Sequence, residues 1–219
     1  MPEPGWSLPP ESRVVCIGAH CDDIEIGCGG TILRLLQQRP SSVAAVHWIV
    51  FSSDERRAHE AHESAEQFLA GARSRAIEIK RFRNSFFPFV GAEIKEYFED
   101  LKRRLEPTVI FTHRRADAHQ DHRLLAELTW NTFRRHLILE YEIPKYEGDL
   151  GSPNVFSLLD RETCERKVDI IMKSFGSQRD KRWFDPETFW ALLRLRGVES
   201  GGAGRYAEGF DCRKLLLWG

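Results

Sequence analysis

No run in this chain approaches the roughly 18 consecutive apolar residues that a membrane-spanning helix needs. No pair of cysteines has C-x-x-C spacing; Cys16, Cys21, Cys28, Cys164 and Cys212 are scattered, and their odd number argues against a disulfide framework. Net charge is nearly absent too. With 32 Lys and Arg against 33 Asp and Glu, no global field favours nucleic acid or an anionic membrane. The first ten residues hold prolines and an acid but no basic, apolar targeting signal, so the expected compartment is the reducing cytoplasm. The expected partner is a small, uncharged molecule, with no nucleic acid and no membrane. Internal repeats and low-complexity tracts are also lacking, and 219 residues at 42% hydrophobic content suit one α/β domain with a full core.

What is present is concentrated in two stretches. The β-prone run V-V-C-I at 14–17 is followed by His20, Asp22 and Asp23 with no Lys or Arg between them, an acidic cluster that repels itself unless a cation is bound. Gly27-Cys28-Gly29-Gly30 then reads as the opening of a helix. Strand, turn and helix start converge here, at the kind of crevice where open α/β sheets bind ligands. The second stretch is another apolar run, T-V-I-F-T at 108–112, followed at once by His113, Asp117, His119, Asp121 and His122. In H-x-D-H two imidazoles flank a carboxylate within about one helical turn, so one can bind metal while the other faces a substrate.

Around these stretches the pattern reads as an arm at 1–12 and a domain at 13–219. Strands are expected at 13–18, 43–51, 76–82 and before His113; helices at 31–38, from the S-S-D-E cap to residue 70, at 91–105 and at 124–133. Four successive βα units predict a Rossmann-like, doubly wound, mostly parallel sheet. Beyond 137 strands are expected at 137–143 and 155–159, and helices at 161–175 and 186–196.

A-H-C-D-D at 19–23, followed by T-H-x-x-x-D-x-H-x-D-H at 112–122, resembles the PIG-L/LmbE-like N-deacetylases, whose signatures are A-H-P-D-D and H-x-D-H. The resemblance covers about 13–135. It implies His20, Asp23 and His122 as ligands of one divalent metal, Zn2+ by default with Fe2+ compatible. It also implies Asp22 as general base, His119 as oxyanion stabiliser or acid, and Asp121 as the residue orienting the neighbouring histidine. Arg57 resembles a family arginine that contacts substrate, but reads more readily as a surface charge paired with its neighbours. The implied substrate is an N-acetylated amino sugar or glycoconjugate. Cys21 departs from the pattern by standing where the family has Pro, which leaves the turn less rigid and puts a thiol beside the metal. The tail from R-G-V-E through glycine-rich 200–204 to Y-A-E-G-F also resembles the family's C-terminal region; it is expected to form a substrate-side wall or lid, with Glu199, Arg205, Tyr206 and Glu208 offering polar contacts.

The residues also admit plainer readings. His20, Asp22 and Asp23 could cap a helix, and H-E-A-H-E at 59–63 lacks H-E-x-x-H spacing and reads as a solvated helix. Phe82, Phe86, Phe87 and Phe89 read as core or subunit interface in a possible homo-oligomer rather than as a sugar platform, and G-C-G-G is not a dinucleotide fingerprint. The rivals to an N-deacetylase are a phosphoesterase, which would usually want a second metal, and a non-catalytic sugar-binding relative.

Overall fold

A computed structural model describes residues 8–38 and 41–216; most of the expected arm, and Pro40, lie outside them. β1 (Ser12–Gly18), β2 (Val43–Val50), β3 (Arg75–Ile79), β4 (Val109–His113) and β5 (Leu137–Tyr141) pair in parallel, and their connections contain α1 (Asp23–Gln38), α2 (Glu55–Phe68), α3 (Gly91–Arg104) and α4 (Gln120–Thr132). β6 (Val155–Leu159), α5 (Arg161–Ser174), α6 (Pro186–Glu199) and β7 (Tyr206–Cys212) complete the chain. Strand order is β3-β2-β1-β4-β5-β7-β6. The doubly wound, mostly parallel expectation therefore holds, and the order reverses between β1 and β4, where such sheets open a crevice.

Alternation within the strands builds two cores. Val14 and Cys16 of β1 face a layer with Ile24 of α1, Phe68 of α2, Ile171 of α5 and Phe189 of α6, whereas Val15 and Ile17 face Ile94 and Phe98 of α3 and Leu125 of α4. Aspartate side chains cap three helices: Asp54 accepts from Arg57 N–H, Asp160 from Thr163 N–H and Asp185 from Glu187 N–H. No helix among the described residues is long and apolar enough to cross a membrane.

Two expectations are corrected. α1 begins at Asp23, so the glycines lie inside the helix instead of opening it. Glycine is a poor helix former, but here it admits close neighbours: a Cβ at Gly27 would stand 2.2 Å from the Tyr141 ring, and one at Gly29 2.6 Å from Phe68. Packing outweighs propensity. The supposed lid is the second correction, since Tyr206–Cys212 is a strand lying antiparallel between β5 and β6. Its Glu208 is no surface contact but a buried carboxylate that accepts from Gly30 N (2.8 Å), Thr31 N (2.7 Å) and Lys167 Nζ (2.6 Å). Lys167 Nζ also donates to Ile26 O at 2.7 Å, the carbonyl that would pair with Gly30 N in an ideal helix. α5 and β7 thus supply hydrogen bonds to the middle of α1.

Lys167 and Glu208 side chains are each 3% exposed. Breaking a buried pair strands the remaining charge, so Lys167→Met is expected to lower stability by about 3–5 kcal/mol, seen as a reduced urea midpoint with an unchanged slope.

Candidate metal centre

The site forms where β1 and β4 end side by side, Val14–Cys16 pairing with Val109–Phe111. Phe51 N–H donates to Gly18 O (3.0 Å) and Ser52 N–H to Ala19 O (2.8 Å), carrying the pairing with the β2 chain past the last residue of β1. Ala19 N–H donates to His113 Nε2 at 2.9 Å and joins the loop after β1 to the loop after β4. Tyr141 Oη donates to Ile17 O at 2.6 Å and closes the site from below.

Three donor atoms then crowd together. His20 Nδ1 lies 3.1 Å from His122 Nε2 and 3.2 Å from Asp23 Oδ2, and His122 Nε2 lies 3.5 Å from Asp23 Oδ2. Ligands held tetrahedrally at ordinary Zn–N and Zn–O lengths stand about 3.3–3.4 Å apart, so this triangle fits one ion. Two other ligand groups also lie within 4.8 Å, His20/His119/His122 and Asp23/His113/His122, the latter with His113 Nε2 3.2 Å from Asp23 Oδ2. The His20/Asp23/His122 triangle is preferred because His113 Nε2 already accepts from Ala19 N–H and His119 Nδ1 from Asp121 N–H. The far nitrogens of its two imidazoles face carboxylates, His122 Nδ1 with Asp117 Oδ2 at 3.0 Å and His20 Nε2 with Asp121 Oδ2 at 3.4 Å. Such carboxylates orient metal-binding imidazoles.

Asp121 thus meets His20 across the site, not a histidine beside it in sequence. Its carboxylate also accepts from Ser85 N–H (2.6 Å) and Phe87 N–H (3.1 Å), pinning the loop before α3. Ser85 there holds φ 65°, a left-handed backbone conformation uncommon outside glycine. Of the phenylalanines, Phe87 is buried beside His20 while Phe89 is 76% exposed.

Asp22 is buried; Oδ1 accepts from Arg57 Nη2 at 3.1 Å, and Oδ2 has no protein partner. Arg57 is therefore paired with the acid, not with surface neighbours. Burial raises the Asp22 carboxyl above its ordinary range, and Arg57 opposes that rise. Cys21 Sγ donates to Ser52 O at 3.3 Å, and burial pushes its thiol up, so the thiol is tied to the β2 loop. His59 is exposed against Glu63, as a solvated helix face requires. Glu199 pairs with Arg196, and Tyr206 packs on Trp190; the structure brings neither into contact with the cluster. Asp117, which follows β4 in sequence, contacts His122. Lys145 and Asp149 carried no motif signal and emerge only from the geometry.

With protein groups alone the cluster must hold a proton. Burial disfavours the His20 imidazolium, but Asp23, Asp121 and Asp22 outweigh burial and raise it to about 9. Burial, reinforced by His113, pushes His122 down to about 3. Burial works against the Asp23 carboxylate, yet His122, His113 and His20 hold it well below its ordinary range. His119 is lowered by burial and by His20.

The family profile described as PIG-L, GlcNAc-PI de-N-acetylase, matches residues 15–133, more than half of the chain. The chain belongs to the PIG-L family. The match spans both loops of the PIG-L site and stops before β5, β6 and β7. Among solved structures, N,N'-diacetylchitobiose deacetylase from Pyrococcus horikoshii is 20% identical, with 92% of this chain and 84% of that one covered and a TM-score of 0.71. The 4-carboxy-2-hydroxymuconate hydratase GalB from Pseudomonas putida KT2440 is 17% identical over 95% and 98% of the two chains, with a TM-score of 0.74. The A40926 pseudoaglycone deacetylase Dbv21 is 18% identical over 95% and 100%, at 0.67. At these identities the likeness is one of fold. No curated protein matches the chain.

With Asp23, Asp121 and Asp22 raising the His20 imidazole to about 9, an ion entering at pH 7 is expected to displace its proton. Zn2+ calorimetry in buffers of different ionisation enthalpy is expected to show release of about one proton per ion at pH 7. Release of none would contradict a protonated His20.

Proposed function

We propose that the protein is a metal-dependent N-deacetylase that releases acetate from an N-acetylated amino sugar or glycoconjugate. The observation that carries this reading is the buried Asp22, with one oxygen lacking a protein partner, one residue from a triangle of His20, Asp23 and His122 sized for a single ion. Family membership and the fold shared with sugar and glycopeptide deacetylases support it. A divalent ion, Zn2+ or Fe2+, held by His20, Asp23 and His122 would polarise the acyl carbonyl and make a water acidic at neutral pH.

Asp22 takes the proton of the attacking water as the new C–O bond forms, then delivers it to the departing nitrogen as the C–N bond breaks, leaving acetate and an amine. Burial makes Asp22 a stronger base than an exposed carboxylate, and Arg57 counters part of that rise while holding Oδ1 in place. The tautomer of His119 follows from its place before α4: Nδ1 accepts from Asp121 N–H, so the neutral ring carries its proton on Nε2. A neutral donor suits the oxyanion of the tetrahedral intermediate, and its lowered pKa keeps it neutral near pH 7. Five free cysteines, four of them buried, are consistent with action in a reducing cytoplasm.

Candidate ligand groups among the described residues all share His122, which gives a phosphoesterase no separate ligands for a second ion. The likeness to GalB favours one second reading, addition of water to a carbon–carbon double bond, since that chemistry also needs an acidified water beside a base. An acetate-release screen of metal-loaded protein against N-acetylhexosamine conjugates, with metal quantified in the same sample, decides between them; activity on an unsaturated hydroxy acid without acetate release would reverse the assignment.

Asp22→Asn is expected to keep the metal and lose about 10²-fold or more in kcat; unchanged turnover removes Asp22 from the base role. Removing the Arg57 cation lets the Asp22 carboxyl rise further, and the base must be ionised to act. Arg57→Met is therefore expected to move the acid limb of the kcat/KM profile up by about one pH unit.

A further inference from the structure

The loop after β5 carries no signature of the family, yet it reaches the metal triangle through a chain of charges. Asp117 Oδ2 lies 3.0 Å from His122 Nδ1 and 2.9 Å from Lys145 Nζ. Lys145 Nζ also donates to Asp149 at 2.7 Å to Oδ1 and 2.9 Å to Oδ2. Asp149 Oδ2 in turn accepts from Ala118 N–H at 2.5 Å, and Asp149 O accepts from Arg114 Nη1 at 2.8 Å. The side chains of Asp117, Lys145 and Asp149 are 2%, 9% and 15% exposed. The chain closes through a turn in which Gly148 N–H meets Lys145 O and Gly148 holds φ 62°, a conformation suited to glycine.

We propose that Lys145 is a positioning residue for the metal centre: its ammonium bridges Asp117 to Asp149 and thereby holds Asp117 against His122. The proposal rests on the metal-dependent reading above. Asp117 has a second duty, because its Oδ1 accepts His119 N–H at 2.7 Å. One carboxylate therefore sets the ring of the ligand His122 and the backbone of the oxyanion donor His119. An ionised carboxylate only accepts, so the His122 proton sits on Nδ1 and Nε2 presents its lone pair to the ion. Without the ammonium, Asp117 and Asp149 would stand as two anions gathered at one point, and their repulsion would pull Asp117 off the imidazole. The orienting bond to His122 would loosen although no ligand had changed.

The test compares wild type with Lys145→Met, Lys145→Arg and, as a surface control, Lys173→Met, whose side chain is 74% exposed. Zn2+ affinity is read by competition with a chromophoric chelator, and the His122 tautomer by long-range 1H–15N spectra of metal-free protein. Lys145→Met is expected to bind Zn2+ about 10–100-fold more weakly and to lose its Nδ1–H preference, with Lys145→Arg nearer to wild type and Lys173→Met unchanged. A folded Lys145→Met with wild-type affinity and wild-type His122 signals would overturn the proposal. If Lys145→Met does not fold, Asp149→Asn, which weakens the second anchor of the ammonium, is read instead, with a smaller loss in the same direction expected and no change overturning it. A wild-type protein that binds no divalent ion would refute the metal reading instead, and the tautomer comparison would still decide the role of Lys145.

Discussion

His20 Nδ1 and His122 Nε2 stand 3.1 Å apart with Asp23 Oδ2 within 3.5 Å of both, so two nitrogen lone pairs and a carboxylate converge on one point. Such a point must carry positive charge. With protein groups alone the charge is a proton on His20, and with an ion bound it is the ion. The features around it follow from this requirement. Asp117 and Asp121 stand behind the imidazoles to fix their rings, and Asp22 stays outside the triangle, tied to Arg57. Glu25, fully buried nearby, has its carboxyl pushed well above its ordinary range by burial.

Much of this site could be read from the sequence, because both motifs follow directly on strands and the two strands are neighbours in the sheet. A-H-C-D-D leaves β1 and His113 ends β4, so a separation of about a hundred residues collapses to one strand spacing. The sheet class was legible for the same reason: strands covered on both faces leave long apolar runs. What hides from sequence is whatever depends on partners far away in the chain. Glycines at 27 and 29 look like a helix boundary until Tyr141 and Phe68 are seen resting on them. Y-A-E-G-F looks like a polar lid because it contains Glu208 and Gly209, and only Lys167 on α5 makes burial of that carboxylate tolerable. Lys145 lies in a turn-rich segment whose composition says nothing of Asp117.

The fold alone does not choose the reaction. A chitobiose deacetylase, a pseudoaglycone deacetylase and a muconate hydratase share this architecture at similar TM-scores, so the architecture by itself is tied to no single chemistry. The choice lies with the groups set around the site. Here His119 is held as a neutral Nε2–H donor by the Asp121 backbone amide, which suits a charge developing on a carbonyl oxygen. Arg57 opposes the rise that burial imposes on the Asp22 carboxyl and holds its Oδ1 at 3.1 Å.

β7 and α5 serve this geometry through α1. Asp23 is the first residue of α1, so the placement of that helix sets the placement of a proposed ligand. α1 has glycines at 27, 29 and 30, which weaken its intrinsic preference to stay helical. The compensation comes from outside: Tyr141 packs on Gly27, Phe68 on Gly29, and Glu208 with Lys167 supplies the hydrogen bonds at Gly30 and Ile26. Small residues let these neighbours approach, and the neighbours in turn immobilise the helix, so each half of the arrangement requires the other. β7 is therefore better understood as a brace for the helix that carries Asp23 than as a cover over the substrate.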